Sequence, residues 1–343
     1  MQLVPQRLVG CFFGVGSVRA ETPTAPIDYV TELPLPYWYQ LPNLPEEDMI
    51  RQFAYLVDGY EEEEDFTLDI DMYTYREILQ DDSPLLPDEE HAHGLHFLHS
   101  KGPFLDFKTQ QTAPATMAFS IRGTDGGQLL SKSMIVFFTS LMQRVAAGQA
   151  EFLGKICDNL VLCQDDPAFG HVIEMIQNKR ISLSIQEIQR ATESIYPKGV
   201  IPAYHYCDDW RRLTLGDKYL LWESNPKIVH IDVLRYPPIL ESEQAEEINQ
   251  FIERGGGLAL GVLPNTDDAF SDSIMSLLRE GLEKTTEAFA RSGVSIELLQ
   301  ENAMISTQCG LSHLSSGLAE QLHRESHKFP AAFRKAISTF LTR

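Results

Sequence analysis

Two short segments far apart in the sequence carry residue types that bind soft metal ions. The first is Ala203-Tyr-His205-Tyr-Cys207 and the second is Thr307-Gln-Cys309-Gly-Leu311. If both segments line one pocket, they supply one imidazole and two thiolates, a ligand set that favours zinc over hard cations. Zinc held by three protein groups keeps a position where a substrate atom can bind. Spacing alone leaves a second interpretation open, in which the two cysteines are buried packing residues.

The composition limits the kinds of protein that this chain can be. Its 343 residues are 43% hydrophobic, which is enough for one large α/β domain or two smaller ones. The formal net charge of −21 argues against a nucleic-acid partner, since phosphate binding needs clustered Lys and Arg. The same acidity disfavours anionic membrane surfaces, and no apolar run reaches the ~18 residues of a membrane span. We therefore expect neither nucleic acid nor a membrane as a partner.

Cysteine usage and the N-terminal run predict the compartment. Five cysteines, an odd number in a long chain, do not resemble a disulfide framework, which favours a reducing cytoplasm. The apolar run at 8–18 could pass for the core of a signal peptide, but Arg19 interrupts the small-residue pattern of a cleavage site. We therefore expect a first buried strand that ends in Gly14-Val-Gly-Ser17, and a cytoplasmic protein.

Apolar runs bounded by Gly, Pro or Asp alternate with segments of helical periodicity over nearly the whole chain. This is the pattern of repeated βα units around a parallel sheet. It predicts an α/β fold, a closed (β/α)8 TIM barrel, as a single domain over residues 1–343 with an irregular, proline-rich βα insertion at about 22–100. The predicted strands are 8–15, 115–121, 160–163, 200–206, 228–233, 258–263 and 303–306. The predicted helices are 131–157, 185–196, 209–222, 242–254, 271–291 and 314–327.

Polar residues follow the predicted strands at their carboxyl ends, where a barrel carries its chemistry. Ser17, Asp165, Asp166, Cys207, Asn265 and Cys309 follow a strand, two of them beside Gly16 and Gly310, while His205 and Asp232 lie within the last residues of theirs. Because side chains alternate along a strand, His205 and Cys207 project to the same side. Cys309 precedes a predicted helix, whose N-terminal N–H groups and dipole would lower the pKa of its thiol.

Several short motifs, in a shared order along the chain, resemble those of one enzyme family. They are Gly14-Val-Gly-Ser17 with Arg19, Pro36-Tyr-Trp-Tyr-Gln-Leu-Pro42, Thr112-Ala-Pro114, Gln164-Asp-Asp-Pro167, His205-Tyr-Cys207, Gly255-Gly-Gly-Leu-Ala-Leu-Gly261 and Ser306-Thr-Gln-Cys-Gly-Leu311. With them the chain resembles the catalytic barrel of cobalamin-independent methionine synthase and its single-barrel relatives. That family lies within the superfamily that includes uroporphyrinogen decarboxylase. The resemblance covers nearly the whole chain.

The resemblance implies a zinc ion held by His205, Cys207 and Cys309, which binds a thiol substrate as thiolate. It also implies that Gly16 and Ser17 hold the carboxylate of homocysteine, and that Asp165 is the catalytic residue that accepts hydrogen bonds from its ammonium group. The family has a fourth, acidic zinc ligand on the next strand. Asp232 is the candidate for that ligand, and His230 on the same strand face is the alternative.

Two further clusters have both a functional and a structural interpretation. His91-Ala-His93-Gly-Leu-His96-Phe-Leu-His99 could bind metal or titrate between pH 5 and 7, or it could be a partly exposed amphipathic helix. The acidic run Glu61-Glu-Glu-Glu-Asp65 fits a solvated loop, with a cation site as the alternative.

The resemblance therefore predicts an enzyme, a zinc-dependent S-methyltransferase that acts on a small thiol, most simply homocysteine. The expected methyl donor is a methyl-folate or a methyl-corrinoid. The full-length enzymes have a second barrel that helps to bind the polyglutamyl folate, and 343 residues leave no room for it, which favours a corrinoid protein or another small donor. One alternative is a metal-free enzyme of the uroporphyrinogen decarboxylase type, although an arginine-rich N-terminal loop is missing from the sequence. The other is a catalytically inactive barrel that acts as a binding protein.

Overall fold

Parallel strands from the apolar runs form the frame of the protein, as seen in a computed structural model that describes residues 2–62, 66–216 and 218–342. The described strands, parallel and antiparallel together, are β1 (Tyr60–Glu62), β2 (Phe66–Leu68), β3 (Phe104–Thr112), β4 (Cys157–Asp165), β5 (Ile201–His205), β6 (Thr214–Leu215), β7 (Lys218–Tyr219), β8 (Ile228–Ile231), β9 (Gly257–Leu263) and β10 (Ala303–Thr307).

Fourteen α-helices are found among the described residues. They are α1 (Ile27–Val30), α2 (Arg51–Ala54), α3 (Met72–Gln80), α4 (His93–His99), α5 (Pro114–Ser120), α6 (Lys132–Leu153), α7 (Phe169–Gln177), α8 (Ile185–Glu193), α9 (Leu220–Glu223), α10 (Ser242–Glu253), α11 (Ile274–Ser292), α12 (Ile296–Asn302), α13 (Ser316–Glu325) and α14 (Phe329–Leu341). Short 3₁₀ turns lie at Gln6–Leu8, Pro45–Glu47, Trp210–Arg212, Asp267–Ala269 and Ser326–Lys328.

The chain divides into two units, which we call unit one and unit two. Unit one consists of Met1–Tyr39 and Ile201–Arg343, and unit two of Gln40–Val200. The predicted organisation as one barrel domain with an insertion at about 22–100 stays a prediction. Within that stretch the structure describes only short helices and the antiparallel pair of β1 and β2.

Unit one is built on four parallel strands in the order β5, β8, β9, β10. The strand β9 is buried along its whole length, as expected for a parallel sheet that is covered on both faces. Close packing of these strands depends on Gly261. A Cβ at this position would lie 2.9 Å from the carbonyl oxygen of Thr307 and 3.0 Å from that of Ile231. Glycine therefore allows the ends of β8, β9 and β10 to approach one another.

Unit two contains the parallel pair β3 and β4, with Thr112 next to Asp165 at the carboxyl end. The long helix α6 buries mainly apolar side chains together with Arg144 and Gln149, and Ser131 begins it by accepting a hydrogen bond from the Met134 N–H. Ser184 and Glu187 form a reciprocal capping box at the start of α8. Such caps stabilise a helix by about 1 kcal/mol each.

Five of the predicted strands coincide with described strands or overlap them, and two do not. The segment 8–15 contributes only an isolated bridge between Phe12 and Ile305. The segment 115–121 forms most of helix α5, so this prediction is wrong. Pro114 takes the first helical position, where its missing N–H costs nothing, and good helix formers follow it. The neighbouring strand is instead β3, whose buried polar residues, such as Lys108 and Gln110, hide the pattern of a buried strand.

The predicted helix at 209–222 is also wrong. Asp209 caps a single 3₁₀ turn, and the chain then forms a small antiparallel pair of β6 and β7 before the short helix α9. Gly216 has a φ of +59°, a left-handed conformation that ends helical structure and suits a tight turn.

Candidate metal centre

His205, Cys207 and Cys309 come together in unit one at the carboxyl ends of two strands. His205 is the last residue of β5, and Cys207 follows two residues later. Cys309 follows the last residue of β10 by two positions. The His205 Nε2 atom lies 2.8 Å from the Cys207 Sγ and 3.6 Å from the Cys309 Sγ, and the two sulfur atoms are 3.4 Å apart. Within the described ranges, this is the single group of three or more His, Cys, Asp or Glu side chains whose donor atoms could share a metal ion.

The donor set fits zinc in its chemistry and nearly in its spacing. Tetrahedral zinc with sulfur and nitrogen ligands requires about 3.8 Å between two sulfurs and about 3.5 Å between sulfur and nitrogen. The distance from Cys309 to His205 agrees with this requirement, and the distance between the sulfurs is slightly short. The distance from Cys207 to His205 would have to open by about 0.7 Å. The group could therefore hold a metal ion such as zinc after a small adjustment of one side chain.

The surroundings of Cys309 favour its thiolate form. As a thiolate, Cys309 accepts a hydrogen bond from the Cys207 thiol, and this bond is the largest cause that lowers its pKa well below the usual cysteine value. Burial opposes the shift, while the His205 imidazole and the Gly310 N–H add to it. A deprotonated sulfur is the form that binds metal.

His230 is the nearest further imidazole, and it lies beside His205 because the two residues are register partners in parallel strands β5 and β8. Their Nδ1 atoms are 2.7 Å apart. The His230 Nε2 atom lies 2.9 Å from the carbonyl oxygen of Thr307, the last residue of β10. His230 is completely buried, and the Phe13 ring is stacked 6.3 Å from it.

Asp232, the candidate fourth ligand, is not among the three grouped residues. Its Oδ1 atom accepts hydrogen bonds from the N–H groups of Leu234 and Arg235, and its Oδ2 atom accepts one from the Gln308 side chain at 3.3 Å. Burial raises the pKa of Asp232 to about 6, although these bonds oppose the shift. The role of Asp232 as a metal ligand therefore stays a prediction.

Ser17 lies beside the loop that carries Cys309. Its carbonyl oxygen accepts a hydrogen bond from the Leu311 N–H at 2.7 Å, and Gly16 precedes it as a buried bend. A Cβ on Gly310 would clash with the Ser17 Oγ atom, so the Ser17 side chain would have to move if residue 310 carried a side chain. The side chain of Asn265 supports the same loop, since it donates to the Gly310 carbonyl at 3.2 Å. The structure thus brings Ser17 to the candidate centre, while its predicted contact with a substrate stays untested.

Asp165 and Asp166 belong to unit two and have different surroundings. Asp165 ends β4, and the Cys163 thiol lies 3.6 Å from its Oδ1 atom. Asp166 is fully buried and accepts a hydrogen bond of 2.6 Å from the Thr116 hydroxyl, which ties it to helix α5. Asp166 is therefore structural, and Asp165 keeps its predicted role in substrate binding and catalysis as a prediction.

The four histidines at 91–99 do not share a centre. His91 lies 2.8 Å from Asp88 and stacks on Tyr55, and His93 lies 2.8 Å from the buried carboxylate of Glu47. His96 bonds the Pro87 carbonyl, and His99 stacks on Phe152. Each ring therefore has a structural partner, and His96 and His99 both contact the Phe152 ring. In the acidic run at 61–65, residues 63–65 lie outside the described residues, so neither interpretation of that run is tested.

Sequence reasoning missed the contact between His205 and His230, and it treated His230 as an alternative ligand. The signal was present in part, because the strand runs 200–206 and 228–233 are neighbours in the predicted order. Their pairing register, which places the two imidazoles side by side, could not be read from the sequence.

Several solved proteins resemble this chain in structure. A B12-independent methionine synthase from Shewanella sp., solved with selenomethionine, matches with a TM-score of 0.53 and 14% sequence identity, over 98% of this chain and 99% of that chain. The two chains share a fold. A candidate vitamin-B12-independent methionine synthase from Listeria monocytogenes matches with a TM-score of 0.46 and 12% identity, over 93% of this chain and 96% of that chain. A Clostridium thermocellum endo-1,4-beta-D-xylanase 10B matches with a TM-score of 0.44 and 9% identity, over 97% of this chain and 70% of that chain.

No protein-family model matches the sequence, and no curated protein matches it either. The similarity to methionine synthase is therefore one of structure, and membership of that family stays a prediction. None of the described helices combines the length and the apolar character that a membrane crossing requires.

Proposed function

We propose that this protein is a cytoplasmic, zinc-dependent S-methyltransferase of the methionine synthase type, built on a (β/α)8 barrel. Its substrate is a small thiol, homocysteine in the simplest case. The observation that carries the proposal is the grouping of one imidazole and two cysteine sulfurs at the ends of β5 and β10. The fold that this chain shares with a methionine synthase supports it.

His205, Cys207 and Cys309 would hold the zinc ion, with Asp232 as the proposed fourth ligand. Zinc bound there supplies a Lewis acid that keeps a substrate thiol deprotonated at neutral pH, where a free thiol with a pKa of about 8.5 is mostly protonated. Asp232 would first have to give up hydrogen bonds, since its carboxylate is held by Leu234, Arg235 and Gln308. Three protein groups are enough for a catalytic zinc site with an open position.

The remaining proposed contacts hold the amino-acid part of the substrate. Gly16 and Ser17 would bind the carboxylate of homocysteine through N–H and hydroxyl groups, and Asp165 would accept hydrogen bonds from its ammonium group. Charge-assisted bonds of this kind position the sulfur for attack, and orientation is a large part of catalysis.

The methyl group would come from a methyl-folate or from a methyl-corrinoid protein. The substrate sulfur supplies the electron pair for the new S–CH₃ bond. The bond that breaks is N–CH₃ in the folate or Co–CH₃ in the corrinoid, and its electron pair stays on nitrogen or cobalt. With a folate donor, the nitrogen then takes up a proton.

A methyl-transfer assay with both donors tests the proposal. The purified protein is incubated with homocysteine and either methylcobalamin or 5-methyltetrahydrofolate, and methionine is measured by mass spectrometry. We expect methionine with one donor, and none with the Cys309→Ser variant. Failure of both donors with a zinc-loaded protein would overturn the proposal and favour an inactive binding barrel. Turnover of a tetrapyrrole carboxylate by zinc-free protein would favour the decarboxylase alternative.

A further inference from the structure

A chain of two hydrogen bonds runs from β10 through β8 to the candidate metal ligand on β5. Its members are the Thr307 carbonyl, the His230 ring and the His205 ring. His205 and His230 are 2% and 0% exposed, respectively. The ligand-side end of this chain is the His205 Nε2 atom, which faces the two cysteine sulfurs.

The direction of these bonds follows from the chemistry of the groups. A carbonyl oxygen only accepts, so the His230 Nε2 atom must carry the proton that is donated to Thr307. A neutral imidazole carries one N–H, so the His230 Nδ1 atom has a lone pair and accepts from the His205 Nδ1–H. The proton on the His205 Nδ1 atom is therefore fixed by His230, and Nε2 is the nitrogen that faces the two sulfurs and can serve as a metal ligand.

We propose that His230 is a positioning residue that fixes His205 in its Nδ1–H tautomer and holds its ring toward Cys207 and Cys309. This inference rests on the metal site of the proposed function, and it assigns His230 a role other than that of a ligand. As a ligand, His230 would have to break its bond to Thr307 or to His205, because each of its nitrogens has one of these partners.

The packing around His230 suits such a role. The two imidazoles meet edge to face at an interplanar angle of 71°, while Phe13 lies nearly parallel to the His230 ring at 25°. The strand register places His230 directly beside His205. The other partner, Thr307, is two residues before Cys309, and its hydroxyl bonds the Cys309 carbonyl at 2.7 Å. His230 thus links the strand end that carries the imidazole ligand to the one that carries a thiolate ligand.

The first test reads the tautomers in the metal-free wild-type protein. Histidine labelled with nitrogen-15 gives a two-bond proton–nitrogen spectrum that distinguishes Nδ1–H, Nε2–H and doubly protonated rings. The His205 and His230 signals are assigned from the His205→Asn and His230→Asn variants. We expect a proton on the Nδ1 atom of His205, and a proton on the Nε2 atom alone of His230. A His205 ring without a proton on Nδ1, or a proton on the His230 Nδ1 atom, would overturn the proposal.

The second test measures zinc affinity by competition with a chelator. His230→Leu removes the acceptor for the His205 Nδ1–H, and we expect a 10–100-fold loss of affinity together with the appearance of the Nε2–H tautomer of His205. His230→Asn keeps an acceptor oxygen near the original Nδ1 position and should recover most of the loss. The control Val229→Ala changes a buried neighbour on the same strand and should leave the affinity unchanged. Wild-type affinity in His230→Leu would refute the positioning role.

These readouts separate the inference from the proposed function. The tautomer spectrum uses protein without metal, and the affinity measurement uses zinc without substrate. A protein that shows the expected tautomers and affinity loss but transfers no methyl group would retain the role of His230 and lose the proposed function. A protein that transfers methyl groups but shows the opposite tautomer would retain the proposed function and lose the role of His230.

Discussion

The sulfur atoms of Cys207 and Cys309 lie 3.4 Å apart, although 102 residues separate them in the sequence. The His205 Nε2 atom is within 3.6 Å of both. Three soft donors at such distances, at the ends of parallel strands, define the chemistry that this protein is most suited to perform.

Removal of either sulfur should abolish stoichiometric zinc binding. In Cys207→Ser and in Cys309→Ser a hydroxyl replaces a thiolate, which leaves only two of the grouped ligands. We expect about one zinc per wild-type chain and less than a tenth of that in either variant, as measured by elemental mass spectrometry. Cys157→Ser is the matched control, because this cysteine is also partly exposed and lies outside the group. Undiminished zinc in the Cys309→Ser variant would show that the metal binds elsewhere.

Alkylation should distinguish Cys309 from Cys157 in the zinc-free protein. The hydrogen bond from Cys207 lowers the pKa of Cys309, whereas burial raises the pKa of Cys157 to about 11. Since the thiolate is the reactive form, iodoacetamide at pH 7 should label Cys309 first, by at least tenfold in rate, as followed by peptide mass spectrometry. Added zinc should protect Cys309 and leave Cys157 unchanged. Equal rates for the two cysteines would contradict the assigned environment.

Gly310→Ala should disturb the loop that carries Cys309. The new Cβ would overlap the Ser17 Oγ atom, and overpacking of this kind costs about 1–3 kcal/mol of unfolding free energy. The double variant Ser17→Ala with Gly310→Ala removes the overlapping atom and should recover part of that loss. Urea denaturation of the four proteins in the cycle gives the coupling energy. If the two single changes in unfolding free energy add up to that of the double variant, the side chains at positions 17 and 310 do not contact each other.

Asp165→Asn should weaken homocysteine binding without loss of zinc. The variant retains the shape of the side chain and removes the charge that would pair with the substrate ammonium group, so we expect KM for homocysteine to rise about 10–100-fold. Asp158→Asn changes an exposed carboxylate on the same strand and serves as the control. An unchanged KM in Asp165→Asn would exclude this role for Asp165.

The buried His323 should make stability fall in acid. Its Nδ1–H donates to the Ala319 carbonyl, and its Nε2 atom accepts from the Tyr37 hydroxyl at 2.7 Å. Burial lowers its pKa from 6.5 to about 4, so the unfolded state binds more protons between these values. The contribution of His323 to the free energy of unfolding is complete above pH 6.5. It is lost as the pH falls to 4, and the total loss is about 3 kcal/mol. His323→Gln should flatten the pH dependence of the urea midpoint, and an unchanged slope would assign the acid sensitivity to other groups.

The sequence by itself determined the types of donor and much of the local structure. The apolar runs located the strands β5, β8, β9 and β10 closely and the centre of β4, because a buried parallel strand needs an apolar segment. The period of two along a strand placed His205 and Cys207 on one side. The segments at 115–121 and 209–222 were misread, because Pro114 and the positive φ of Gly216 outweigh the pattern of apolar residues.

Only the tertiary structure decided which polar residues meet. His230 and Asp232 share one face of the predicted strand 228–233, and the sequence offered both as candidates for the fourth zinc ligand. The register of β8 against β5 brings His230 to His205, while Asp232 is held by the N–H groups of the turn that follows it. The positions of β10 and β5 in the sheet of unit one bring Cys309 next to Cys207. No local sequence pattern encodes these positions. Contacts between distant segments depend on strand order and register, and these are set by packing of the whole fold rather than by the residues on either side.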